Sequence, residues 1–229
     1  MREIESYIEI LILVHTGLGA IALITGALAI FSKKGSLLHK KSGKLFYYAM
    51  LTSVTLSLFI ANMPGHESGF LFAIGIFSSY FIIIGRRALF YRDSDINVTW
   101  DKCLMLTMIF TGILMIIYPI LLHNNLNIVL TIFGSTGILL AIMDWRIITD
   151  ATLRKKNWLL IHATRITGGY IAAITAFFVV NGALPGIWGW ILPGILGGFY
   201  IAYWAKKLKN NKRNQLSKDS QVAKVNQVH

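Results

Sequence analysis

Charged residues are scarce in this chain. Only 14% of its 229 residues are charged, while 55% are hydrophobic; a soluble domain of this size carries roughly a quarter charged residues. With a mean hydropathy of +0.61, the composition cannot cover a water-exposed surface and points to lipid as the main solvent. Thiols are scarcer still. A single cysteine, Cys103, excludes an intrachain disulfide and any metal knot built from several thiolates, and its expected role is packing. Acidic side chains number 10 against 22 lysines and arginines, a net charge of +12. In a soluble protein that excess suggests nucleic acid. Here the basic residues sit in short clusters between apolar runs, so they read as topology signals and contacts to anionic lipid headgroups, not as a nucleic-acid surface.

Catalytic signatures are absent as well. The chain has no HExxH, Walker loop, GxSxG or CxxCH, and no span holds an HxxxH pair. Gly17 and Gly19 fall inside an apolar helix with no preceding strand, so they do not form a dinucleotide loop. With no activated nucleophile and no paired carboxylates, an enzyme acting on lipid is the weakest functional class. The N-terminus carries Glu3, Glu5 and Glu9 against Arg2 alone, whereas a secretory signal opens with a basic segment. The first apolar stretch therefore reads as a retained helix.

What the sequence does have is apolar runs. A helix needs about 20 apolar residues to cross a hydrocarbon core of about 30 Å. Seven candidates are expected, at 7–31, 45–61, 70–85, 103–122, 126–143, 158–180 and 187–205. The connections between them alternate. Lys33, Lys34, Lys40, Lys41 and Lys44 mark the first, Arg86, Arg87, Arg92 and Lys102 the third, and Arg146, Arg154, Lys155 and Lys156 the fifth. Lysines and arginines from Lys206 onward mark the tail. The second, fourth and sixth connections have no Lys or Arg. Basic residues gather in cytoplasmic loops, which places the N-terminus outside and the C-terminus in the cytoplasm. The expected fold is an all-α integral membrane bundle of about seven transmembrane helices over 1–205. A basic cytoplasmic tail over 206–229, too poor in apolar residues to bury a core, is expected to be disordered.

Polar groups within these spans are the candidate functional residues, because such groups are costly in lipid and are usually paired or functional. Arg165 lies about seven residues into the sixth span, with His162 one turn earlier on the same face. Gly169, Ala172 and Ala176 continue that face, and small residues at this spacing let helices pack closely. The first span repeats the pattern, with His15 heading a stripe of Gly19, Ala22, Gly26 and Ala29. The two helices are expected to be neighbours. Structural roles for these residues are also open: Arg165 with Asp144 or Asp150, His15 with Thr16, Ser53 or a backbone carbonyl.

At about 1.5 Å per residue, His15 and His162 differ in depth by roughly 14 Å, too far for one metal ion with bonds of about 2 Å. Two sites are therefore expected. The inner one would group His39, His162 and Arg165. The outer one would hold His15, with His66 or His123 as recruits. A metal ion or a bis-histidine haem is the chemistry such residues offer. Pro193, followed by Gly194, Gly197 and Gly198, should kink the seventh helix.

The stretches KKGSLLHKKSGKLFYYAM (33–50) and WLLIHATRITGGYIAAITAFFVVN (158–181), with the later WGWILPG, resemble an uncharacterised family of bacterial multi-pass membrane proteins. The resemblance covers most of the membrane region, with Ile166 standing where methionine is more usual. It implies a bacterial inner membrane, singles out His15, His39, His162 and Arg165, and carries no activity with it. The sequence thus leaves a His-based redox, haem or metal-binding protein as the first reading. A proton or small-solute transporter is the alternative, and a non-enzymatic assembly or sensor protein the third.

Overall fold

Serine, asparagine and aspartate side chains fix where most of the helices begin. Ser36, Ser68, Asn127 and Asp150 each accept a hydrogen bond from the backbone N–H three residues on, at 2.9–3.2 Å, satisfying a donor that the first helical turn leaves unpaired. The computed structural model describes residues 2–93 and 95–226, and among these no strand occurs. Seven helices follow in order: α1 Arg2–Phe31, α2 Leu37–Ile60, α3 Gly69–Arg87, α4 Thr99–His123, α5 Ile128–Ile148, α6 Ala151–Val180 and α7 Trp188–Asn226. A 3-10 turn, Ala88–Phe90, extends α3. Asn124 ends α4 in the left-handed region at φ 50°, a conformation that asparagine tolerates better than most residues.

The number of helices agrees with the sequence, but several boundaries do not. α2 begins eight residues before the expected 45, so Lys40, Lys41 and Lys44 are helical rather than part of a loop. α6 begins at Ala151 instead of 158, with Asp150 as its cap. α5 runs on to Ile148, leaving only Thr149 and Asp150 between the two helices. Reading a span as ending at its first charge was the cause, since a capped helix accepts lysine on any face that reaches water. α7 likewise passes 205, where a disordered tail was expected, and continues as helix to Asn226. No glycine or proline interrupts it between 206 and 226.

Helices α1 to α6 are each long and apolar enough to cross a membrane. In α7 the membrane-length portion is diluted by Pro193 and four glycines. The outer faces are apolar: Leu13, Phe110, Leu121 and Phe199 are 63–77% exposed, as expected of surfaces that meet acyl chains. Cys103 is also exposed, on α4, and so does not play the packing role expected of it.

Helices α3 and α6 form the centre and contribute to both buried clusters. One gathers Phe77, Tyr80, Phe81, Tyr91, Met105, Met108 and Ile161. The other joins Ala22, Phe46, Met50, Ile82 and Ala173. Where α4 crosses α5, a Cβ on Gly134 would stand 2.6 Å from the Gly112 carbonyl oxygen. Only glycine allows that backbone approach. α1 packs mainly on α2, and it also touches α6, where the Tyr170 hydroxyl donates to the Leu23 carbonyl at 3.2 Å. The two helices with small-residue stripes are thus in contact, as expected.

Candidate cofactor cavity

Helices α1, α2, α3, α6 and α7 enclose a cavity of about 790 Å³, within the roughly 300–1,000 Å³ typical of small-molecule and cofactor sites. Its walls are largely apolar and aromatic, with Phe46, Tyr47, Trp158, Tyr170, Tyr200 and Trp204 prominent. His39 and His162 both line it.

The two histidines are held in the same way. His39, in the first turn of α2, places Nδ1 2.9 Å from the Ala29 carbonyl of α1. His162, on α6, places Nδ1 2.8 Å from the Gly85 carbonyl of α3. A carbonyl oxygen can only accept, so Nδ1 carries the proton in both rings. The Nε2 lone pair is left available, and among the described residues neither Nε2 has a hydrogen-bond partner. A backbone carbonyl that fixes one ring nitrogen is the usual outer support for a histidine whose other nitrogen ligates a metal. The Gly85 carbonyl is within reach because α3 and α6 almost touch: a Cβ on Gly85 would sit 2.8 Å from the Ile166 backbone nitrogen.

Sequence reasoning placed His39 in a loop. The structure places it on a capped helix, where Ser36 accepts from the His39 N–H. It is therefore held more firmly than a loop ligand would be.

Arg165 is not part of the cavity wall. It is 7% exposed and points to Asp144 of α5, which is fully buried. Nε donates to one carboxylate oxygen and Nη2 to the other, each at 2.8 Å. The Tyr80 hydroxyl of α3 donates to the same carboxylate. Of the two partners considered for Arg165, Asp144 is the one engaged, while Asp150 caps α6.

His15 lies apart from the cavity. Its Nδ1 donates to the Ser53 carbonyl at 2.8 Å and lies 3.0 Å from Ser53 Oγ, so it ties α1 to α2 by the bonds the sequence had offered as its structural role. His66 pairs with Glu5 at 3.2 Å, ten residues before His15, or about 15 Å along the helix. It does not reach His15. The His123 side chain lies outside the described residues.

A second buried carboxylate escaped the sequence reading. Asp101 of α4 is fully buried; Arg87 donates to both of its oxygens at 2.6 and 2.7 Å, and Tyr91 donates to it as well. Asp101 stands two residues ahead of the expected span 103–122, so it falls in a connection by apolar content alone. Arg87 and Arg165 thus have carboxylate partners. The basic residues that line the cavity, Lys34, Lys40, Lys44, Arg86 and Arg92, have none among the described residues. Lys34 donates to the last carbonyls of α1, and burial there holds its ammonium pKa below the ordinary value.

Among the described residues, no three His, Cys, Asp or Glu side chains gather as a metal cluster. A bare ion of the zinc type requires about four such ligands. A metal inside an organic macrocycle requires only one or two from the protein, and two is what the cavity offers. Comparison of the chain with family models, curated proteins and solved structures finds no match.

Proposed function

We propose that this multi-pass membrane protein is of the redox class and that the cavity would take a haem-type macrocycle, with His39 and His162 as the residues that would hold its metal. One observation carries the reading: two histidines from different helices line one cavity of cofactor size, each with Nδ1 fixed to a carbonyl of a neighbouring helix. The macrocycle would supply one-electron chemistry. The protein's part is to present two basic nitrogens in a fixed tautomer, to exclude water with aromatic walls, and to neutralise acidic groups on the ligand.

The distribution of basic residues supports an orientation with the N-terminus outside and the C-terminus in the cytoplasm, which sets the cavity near the cytoplasmic face. The resemblance of the two histidine segments to bacterial multi-pass proteins supports a bacterial inner membrane.

The test is an ultraviolet-visible spectrum with metal analysis on detergent-purified protein, before and after addition of haemin. A Soret band with stoichiometric iron, lost in both His39→Ala and His162→Ala, is expected. A colourless preparation that also leaves added haemin unbound would reject the reading.

A further inference from the structure

We infer that the cavity selects an anionic amphiphile, its carboxylate or phosphate groups held at the mouth by Lys40, Lys44 and Arg86 and its apolar body lodged against the aromatic walls. The inference shares its location with the proposed cofactor site but does not depend on histidine ligation.

The charge of the lining is its basis. Lys34, Lys40, Lys44, Arg86 and Arg92 line the cavity, and no aspartate or glutamate does. Like charges gathered at a low-dielectric wall repel one another, and they focus a field that draws an anion. Elsewhere two inward-facing arginines have carboxylate partners, Arg87 with Asp101 and Arg165 with Asp144, and Arg154 donates to the Ile148 carbonyl. The cavity lining supplies no carboxylate among the described residues, so the neutralising groups are left for the occupant to bring.

Three of these five cations are also oriented by aromatic rings. Arg86 stands over the Tyr47 ring at 5.8 Å, Arg92 over Trp158 at 5.0 Å and Lys34 over Trp204 at 5.2 Å. Ring contacts of this kind orient a cation and strip part of its water while leaving its charge unneutralised. A guanidinium so placed presents a planar fork that matches a carboxylate or a phosphate.

The bland account is that these are ordinary cytoplasmic-face lysines and arginines facing headgroups in general. Lys41 separates the two, because it carries the same charge one residue from Lys40 but does not line the cavity.

The experiment uses the full chain in neutral detergent and follows quenching of tryptophan fluorescence, since Trp158 and Trp204 are in the wall. The probes are metal-free protoporphyrin IX and its dimethyl ester, which share the apolar body and differ in the two carboxylates. Protoporphyrin should bind at least about tenfold more tightly than the ester. Lys44→Gln with Arg86→Gln should remove that preference, and Lys41→Gln should keep it. Because the probe has no metal, the preference for acid over ester should persist in His39→Ala and His162→Ala whatever happens to overall affinity, so failure of histidine ligation and failure of anion selection give different results. Equal binding of acid and ester, or a loss in Lys41→Gln as large as in the double variant, would overturn the inference. Competition with short-chain phosphatidic acid identifies the source of the anion. Displacement of the probe by phosphatidic acid, and not by phosphatidylcholine, supports selection of a lipid phosphate; no displacement, with the ester still excluded, supports selection of carboxylates.

Discussion

Arg165 of α6 meets Asp144 of α5 through two parallel donations of 2.8 Å each, Nε to one carboxylate oxygen and Nη2 to the other. Tyr80 of α3 donates to the same carboxylate, so three helices converge on one buried charge pair. Pairing in this geometry offsets a large desolvation cost, and removing one partner leaves an uncompensated buried charge, typically a loss of about 3–5 kcal/mol.

Asp144→Asn should therefore lower the apparent melting temperature in detergent sharply. Replacing both partners with apolar residues of similar volume, Asp144→Leu with Arg165→Met, should cost less than the single change, because no orphaned charge remains. Thermal unfolding of the three proteins side by side measures this. A double variant less stable than Asp144→Asn would show that the pair contributes more than its own neutralisation.

Gly85→Ala should weaken the structure at the cavity. The added Cβ would meet the Ile166 backbone nitrogen at 2.8 Å, and a helix backbone cannot move aside cheaply, so a loss of about 1–3 kcal/mol is expected. The same change displaces the carbonyl that holds His162, so retention of bound cofactor should fall with it. Gly198→Ala is the control, since a Cβ there meets nothing within 4 Å. Thermal unfolding and cofactor content, measured on both, should separate them.

The histidines should sort by position. His39→Ala and His162→Ala should each lose bound cofactor, while His15→Ala should keep it, since His15 lies apart from the cavity. His15→Ala should instead lose about 1 kcal/mol of stability with its bond to Ser53. His66→Ala should change neither property measurably, because its pairing with Glu5 is largely solvent-exposed. Absorbance per mole of protein, with a melting curve for each variant, is the readout.

Tyr91 should make stability fall at alkaline pH. Burial, then the neighbouring Asp101 charge and its hydrogen bond, raises the Tyr91 hydroxyl pKa well above its ordinary value. A phenol whose folded pKa is raised contributes stability that is complete below the unfolded pKa of about 10 and is lost as pH climbs through the folded value. Melting curves between pH 8 and 11 should therefore decline less steeply for Tyr91→Phe than for the wild type. At pH 8, Tyr91→Phe should cost about 1.5–3 kcal/mol for its lost bond to a carboxylate.

The sequence alone determined that this chain is a helical membrane bundle, and the reason is lipid. Hydrocarbon offers no hydrogen-bond partners, so each crossing must be a continuous apolar helix, and six of the seven expected runs meet that length and apolarity. It also exposed the polar groups that had to be paired, because Arg165, His162 and His15 are conspicuous against so apolar a background. The helix starts were harder to read. Ser36 and Asp150 open α2 and α6 ahead of the lysines that had marked the loops, since capping depends on backbone N–H groups and not on apolar content.

Only the tertiary structure decided which groups meet. It chose Asp144 over Asp150 for Arg165, turned that arginine away from the cavity, and tied Arg87 to Asp101. It also brought His39 and His162, 123 residues apart in the chain, to one cavity walled by five helices. Periodicity along a helix gives the residues on each face, but which faces meet is set by ridge, groove and glycine contacts between helices distant in sequence. One such contact is the approach of Gly85 to Ile166, which puts the Gly85 carbonyl within reach of His162.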